Sequence, residues 1–216
     1  MLKDIKGAIF DLDGTLVDSM WVWSQIDVEY LESKGYPMPE NLRNEISHLS
    51  FSQTAVYFKK KFNLADSIET ILQDWHNMAY NHYANNVKLK LGVTDFLNKL
   101  KSLKIKIALA TSNSIPLLEA CLKNNGIYEC FDSITTTDEV NNGKDCPDVY
   151  LLAANKLGIN PKACLVFEDI LPAVKGAKLA NMKVIAVKDN ECLNSKEDLL
   201  KYADIYIDSF AELLSK

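Results

Sequence analysis

Phe10-Asp11-Leu12-Asp13-Gly14-Thr15-Leu16-Val17-Asp18-Ser19 is the stretch from which the rest of the chain reads outward. Before it lies Ile5-Lys6-Gly7-Ala8-Ile9-Phe10, whose length and lack of helical period predict a buried strand. Asp11 then falls where that strand ends, and in open α/β sheets ligands bind in the crevice beyond the carboxyl ends of the strands. Asp-Gly alone is a common turn dipeptide. Two acids two residues apart at the edge of a core are another matter, because like charges repel there unless a metal ion or protons compensate them.

After Ser19 the pattern becomes helical. Ser19 is placed to cap a helix through Trp21, Val22, Trp23, Ile26, Val28, Tyr30 and Leu31, which Gly35 and Pro37 end. A short helix follows over Glu40 to Ile46. Ser50 with Gln53, and Asp66 with Glu69, give capping-box patterns before two further apolar helical stripes. From Gly92 the chain alternates: helix Val93 to Lys101, strand Ile105 to Ala110, helix Pro116 to Asn124, short strand Ser133 to Thr136. Helix Pro147 to Leu157, strand Ala163 to Phe167, helix Pro172 to Ala180 and strand Lys183 to Val187 come next, then a tail of helix, strand near Ile205 to Ile207, and helix. Alternation of this kind predicts an α/β fold, a Rossmann-like, mostly parallel sheet, into which an all-helical block is inserted. The boundaries read as a core of residues 1–18 and 88–216 and a helical domain of residues 19–87.

Composition bounds the function. In 216 residues, 48% are hydrophobic, enough for a sizeable core, and 24 basic against 29 acidic residues give a net charge of -5 with the signs interspersed. That leaves no basic footprint for nucleic acid. No apolar run approaches the ~18 residues that span a bilayer, and the N-terminus carries no apolar signal segment, so no membrane partner and a cytoplasmic location are expected. The five cysteines, Cys121, Cys130, Cys146, Cys164 and Cys192, include no Cys-x-x-Cys pair and read as reduced thiols. His48, His76 and His82 lack partners at metal-ligand spacing and read as packing or surface residues.

Three later segments put polar groups at strand ends or before helices. Thr111-Ser112-Asn113 has hydroxyls and N–H groups suited to a phosphate, or simply to a helix N-cap. Lys144, in Gly143-Lys144-Asp145-Cys146-Pro147-Asp148, is a flexible cation able to meet a phosphate. Glu168-Asp169 ends the strand Cys164 to Phe167, and a second carboxylate pair at a second strand end suits Mg²⁺.

In this order, Asp11-x-Asp13, Thr111, Lys144 and Glu168-Asp169 resemble the four motifs of the haloacid dehalogenase-like hydrolases. The tract from Gly143 to Asp169 is similar to the branch holding β-phosphoglucomutases and small sugar phosphatases. The resemblance implies a Mg²⁺-dependent phosphatase of a small phosphorylated metabolite, with a sugar phosphate as the expected substrate class. Asp11 would be the nucleophile that becomes an aspartyl-phosphate, and Asp13 the general acid and base. Thr111, Ser112, Asn113 and Lys144 would bind the phosphate, and Asp11, Asp13, Glu168 and Asp169 the metal. The helical block would be the cap of that branch, on a protein expected to be a monomer. The alternative is a phosphomutase on hexose 1-phosphates. Against it, Trp23 and Phe51 stand where mutases of the branch resemble one another in a histidine and an arginine. Asn181 replaces the glycine of a common Ala-Gly-Met, and asparagine tolerates the left-handed backbone a helix end needs there.

Overall fold

The computed structural model describes residues 2–46, 51–192 and 194–214. It divides into two compact units, Met1–Ser19 with Val87–Lys216, and Met20–Asn86.

The first unit is a doubly wound sheet. Its strands are β1 (Gly7–Phe10), β4 (Lys106–Thr111), β5 (Ser133–Thr136), β6 (Cys164–Glu168), β7 (Lys183–Val187) and β8 (Ile205–Ile207), in the order β5-β4-β1-β6-β7-β8. Every pairing is parallel. From β1 the chain winds out through β4 and β5, then returns to the other side of β1 for β6. β1 is thus the switch point where the winding reverses and a ligand crevice opens.

Alternating side chains divide the core between the two faces of the sheet. Ile9, Ala108, Val166 and Val184 pack with Val149, Tyr150, Ala153 and Leu157 of helix α7 (Asp148–Leu157) and Val174 and Ala177 of α8 (Leu171–Leu179). Phe10 and Phe167, in register across β1 and β6, stack with centroids 4.4 Å apart. Phe96 of α5 (Val93–Ser102) and Phe210 close around them at 5.5 to 6.3 Å. Helices α6 (Ile115–Asn124) and α9 (Lys196–Leu200) complete the alternation. The last expected helix is a 3₁₀ turn, Phe210–Leu213. Asn181 has the left-handed backbone expected of it, with φ of 60°.

Two strands of two residues escape the sequence reading. β2 (Val17–Asp18) and β3 (Lys88–Leu89) pair antiparallel, Val17 with Leu89 and Asp18 with Lys88, at the points where the chain leaves and re-enters this unit.

The second unit holds α1 (Trp21–Ser33), α2 (Leu42–Ile46), α3 (Phe51–Lys61) and α4 (Ile68–Asn85), with no strand among its described residues. Its core is aromatic: Tyr30, Phe58 and Trp75 meet at 5.0 to 6.4 Å. Two expected caps are corrected here. α1 starts behind Met20 with no side-chain cap, because the Ser19 hydroxyl is spent elsewhere. α4 is capped by Ser67, whose Oγ accepts from the Thr70 N–H at 3.1 Å, while Asp66 pairs with Lys34 at 2.7 Å. The Ser50–Gln53 cap and His48 fall outside the described residues. No helix among the described residues is long and apolar enough to cross a membrane, and all five cysteines are free thiols.

Candidate active site

The parallel register brings the ends of β1, β4 and β6 to one level, and Asp11, Thr111, Glu168 and Asp169 stand there together. Asp11 continues the line of β1, donating its N–H to the Phe167 carbonyl at 3.1 Å. Asp11, Thr111, Glu168 and Asp169 are all buried. Carboxylate oxygens of Asp11, Glu168 and Asp169 lie within 4.8 Å of one another.

Lys144 arrives from the loop before α7. Its ammonium lies 2.6 Å from Asp11 Oδ1 and 2.5 Å from Glu168 Oε1. That approach depends on Gly176 of α8, where a Cβ would overlap the Lys144 carbonyl and lie 2.8 Å from that of Cys146. Lys144 is therefore not a mobile surface cation but a nearly buried one, locked between two acids. Burial opposes its charge, but Asp11 and Glu168 outweigh it and hold the ammonium protonated above its usual range.

One ammonium does not balance three acids. Burial first, and then its neighbours' charges, raise all three carboxyl groups: Asp11 upward, Glu168 to about 8 and Asp169 to about 7. Lys144 pulls each of them the other way. With all three ionised, the negative charge exceeds the one ammonium by two, the charge of one divalent cation. The donors are hard oxygens throughout, as Mg²⁺ prefers. With their oxygens within 4.8 Å of one another, the three carboxylates are close enough to hold one such ion together. Glu168 Oε1 accepts from both Lys144 and Tyr150, at 2.5 and 2.7 Å, whereas its buried Oε2 has no partner. An orphaned anionic oxygen beside two further carboxylates fits a cation.

Asp13 lies outside this trio but is held at both oxygens. Ser19 Oγ donates to Oδ1 at 2.6 Å and Asn113 Nδ2 to Oδ2 at 2.8 Å. Between the acids, Gly14 has φ of 76°, and a Cβ there would overlap Asp169 Oδ2 and come within 2.9 Å of its Cγ. Thr15 Oγ1 donates to Asp169 Oδ1 at 3.1 Å. The glycine thus serves both the turn and the close approach of the two acidic strand ends.

Thr111-Ser112-Asn113 is not the N-cap of α6, a place taken by Ser114 without a side-chain bond. Thr111 Oγ1 accepts the Asn113 backbone N–H at 3.0 Å. That N–H, expected to bind phosphate, is engaged, while Ser112 is exposed. Ser19, Asn113 as a partner of Asp13, and Tyr150 are the residues sequence reasoning missed. Tyr150 offered only an aromatic at helical spacing, the signature of core.

This sheet and acid cluster are those of a known class. The sequence profile described as haloacid dehalogenase-like hydrolase matches residues 8–187, and the chain belongs to that family. Among its relatives is a phosphorylated carbohydrates phosphatase of Thermotoga maritima, 31% identical over 183 residues and 84% of each chain. A suggested phosphatase of Bacillus subtilis, YhcW, is 32% identical over 188 residues, 85% of this chain and 83% of its own. Among solved structures, a suggested β-phosphoglucomutase from Thermotoga maritima superposes with a TM-score of 0.87 at 29% identity, covering 98% of this chain and 97% of that one.

Proposed function

We propose that this phosphoric monoester hydrolase acts on a small phosphorylated carbohydrate through an aspartyl-phosphate on Asp11. The observation that carries it is the single ammonium set among three carboxylates at the switch point of the sheet. The names of the relatives agree with it.

An Asp11 carboxylate oxygen attacks phosphorus, and the bond to the leaving alcohol breaks. Asp13 gives that oxygen a proton, then takes one from the water that attacks the aspartyl-phosphate. Phosphate leaves and both acids are restored. Ser19 and Asn113 fix the Asp13 carboxylate, so it moves a proton without searching for its position. Lys144 and Thr111 stabilise the charge spread over the phosphoryl oxygens. Mg²⁺, held by Asp11, Glu168, Asp169 and the Asp13 carbonyl, would offset the mutual repulsion of nucleophile and phosphate.

A mutase reading draws on the β-phosphoglucomutase likeness. Trp23 and Phe51 argue against it: 38% and 44% exposed and edge-to-face at 5.4 Å, they put an aromatic pair, with no charge, where the mutase pattern has histidine and arginine.

Two experiments decide the matter. Phosphorus NMR of the protein with Mg²⁺ and a hexose 1-phosphate, plus a trace of the bisphosphate, yields inorganic phosphate from a phosphatase and hexose 6-phosphate from a mutase. Asp11→Asn is expected to lower turnover by at least ~10³-fold with an unchanged circular dichroism spectrum. An undiminished rate refutes Asp11 as nucleophile.

A further inference from the structure

A second ammonium in the first unit is as fully committed as Lys144. Lys90 follows β3, and its side chain is 15% exposed. All three of its donors are engaged: by the Gly14 carbonyl, by the Lys188 carbonyl at 2.7 Å, and by Asp189 Oδ2 at 2.8 Å. Asp189 is 4% exposed on its side chain, and its other oxygen accepts the Glu191 N–H at 2.9 Å. The Lys90 backbone N–H also donates to the Leu16 carbonyl at 2.9 Å. One residue therefore grips the Asp13–Leu16 loop at two carbonyls and ties it to the end of β7.

The same loop also rests on Asp169, through Thr15 Oγ1 and the bare Cα of Gly14. Stability alone gives little reason for such a pair, since apolar residues of similar volume usually serve a buried position as well or better. Apolar residues could not hold a carbonyl.

We propose that Lys90, locked by Asp189, is a positioning residue. It fixes the Gly14 carbonyl and so sets Asp11 and the Asp13 carbonyl at their working distance from Asp169. This rests on the reading of those acids as the Mg²⁺ site. Outer partners of this kind change metal affinity by roughly 10–100-fold when removed.

The test uses the full chain with Lys90→Met and Asp189→Asn combined, so that no buried charge is left stranded. Three quantities are compared with the wild type: hydrogen exchange of residues 11–18 in metal-free protein, Mg²⁺ affinity by calorimetry, and the urea midpoint. The expected result is exchange roughly tenfold faster over residues 11–18 with β4 and β5 unchanged. Mg²⁺ Kd should rise roughly 10–100-fold even where the urea midpoint matches the wild type. Unchanged exchange, or unchanged Mg²⁺ affinity, overturns the proposal. If wild-type protein binds no Mg²⁺, the metal reading fails separately, and the exchange rates still decide whether Lys90 holds the loop. Asp189→Asn alone keeps the ammonium and loosens its lock. It should show the same effects at smaller size, and it serves if the double variant does not fold.

Discussion

Replacing Glu168 with glutamine should make the metal-free protein more stable while weakening the site it serves. Glu168 is fully buried, and its carboxyl is raised from 4.5 to about 8, burial being the largest cause and Lys144 opposing it. The folded state therefore binds a proton that the unfolded chain has lost at pH values between 4.5 and about 8. Stability from this group is fully present below 4.5 and is lost as pH rises through about 8. At ~1.4 kcal/mol per pKa unit, the ionised carboxylate costs the fold on the order of 3–5 kcal/mol at high pH. Glutamine resembles the protonated acid and is spared that cost. Urea unfolding in EDTA should place Glu168→Gln on the order of 3–5 kcal/mol above the wild type at pH 9, with the two converging near pH 5. For a chain of this length that gap is roughly 10 °C in Tm. Circular dichroism is the right probe, because it follows both units, whereas Trp21, Trp23 and Trp75 all belong to the helical one. Saturating Mg²⁺ should reverse the order, since an ionised carboxylate gains far more from the ion than an amide oxygen does. A gap that does not grow with pH, or a variant less stable than wild type at pH 9, refutes the account of an uncompensated charge cluster.

Tyr150→Phe removes one donor to Glu168 Oε1 without opening a cavity. It should lower stability by about 1.5–3 kcal/mol in urea titrations at pH 9, where Glu168 is ionised, and a loss under ~0.5 kcal/mol there would show the bond to be idle. Gly14→Ala sets a Cβ against Asp169 at a left-handed backbone position. A fall in stability of at least ~1 kcal/mol, with weaker Mg²⁺ binding by calorimetry, is expected. Ser19→Ala removes the hydroxyl that donates to Asp13 Oδ1, so kcat should fall roughly tenfold with KM little changed; a large loss of stability in urea would instead make Ser19 a fold residue.

Most of the sheet was legible because its central strands are short apolar runs closed by polar residues; β5, Ser-Ile-Thr-Thr, is the exception. Asp11, Thr111 and Glu168-Asp169 each stand at or beside such an end, whereas Lys144 lies in the loop before α7, where only the order of the motifs singled it out. What stayed hidden is pairing. A serine before a helix has two uses, and Ser19 takes the one that ties it to Asp13 rather than the cap. Asp66 likewise prefers the charge of Lys34 to an N–H, leaving the cap to Ser67. Tyr150 and Lys90 reach their partners across strands far away in sequence, and no local spacing announces that. Nor does two-residue β2 or β3 have the length to show alternation.

Those two strands have a consequence for how such a protein can change. Because Val17-Asp18 and Lys88-Leu89 lie side by side, the points of exit and return are about one strand spacing, ~4.8 Å, apart. A two-residue turn could join them into an ordinary hairpin, so the backbone closes at this pair without the sixty-odd residues between. A change of length between Asp18 and Lys88 can therefore be absorbed beyond that pair, leaving the register of the strands that carry the acids as it is.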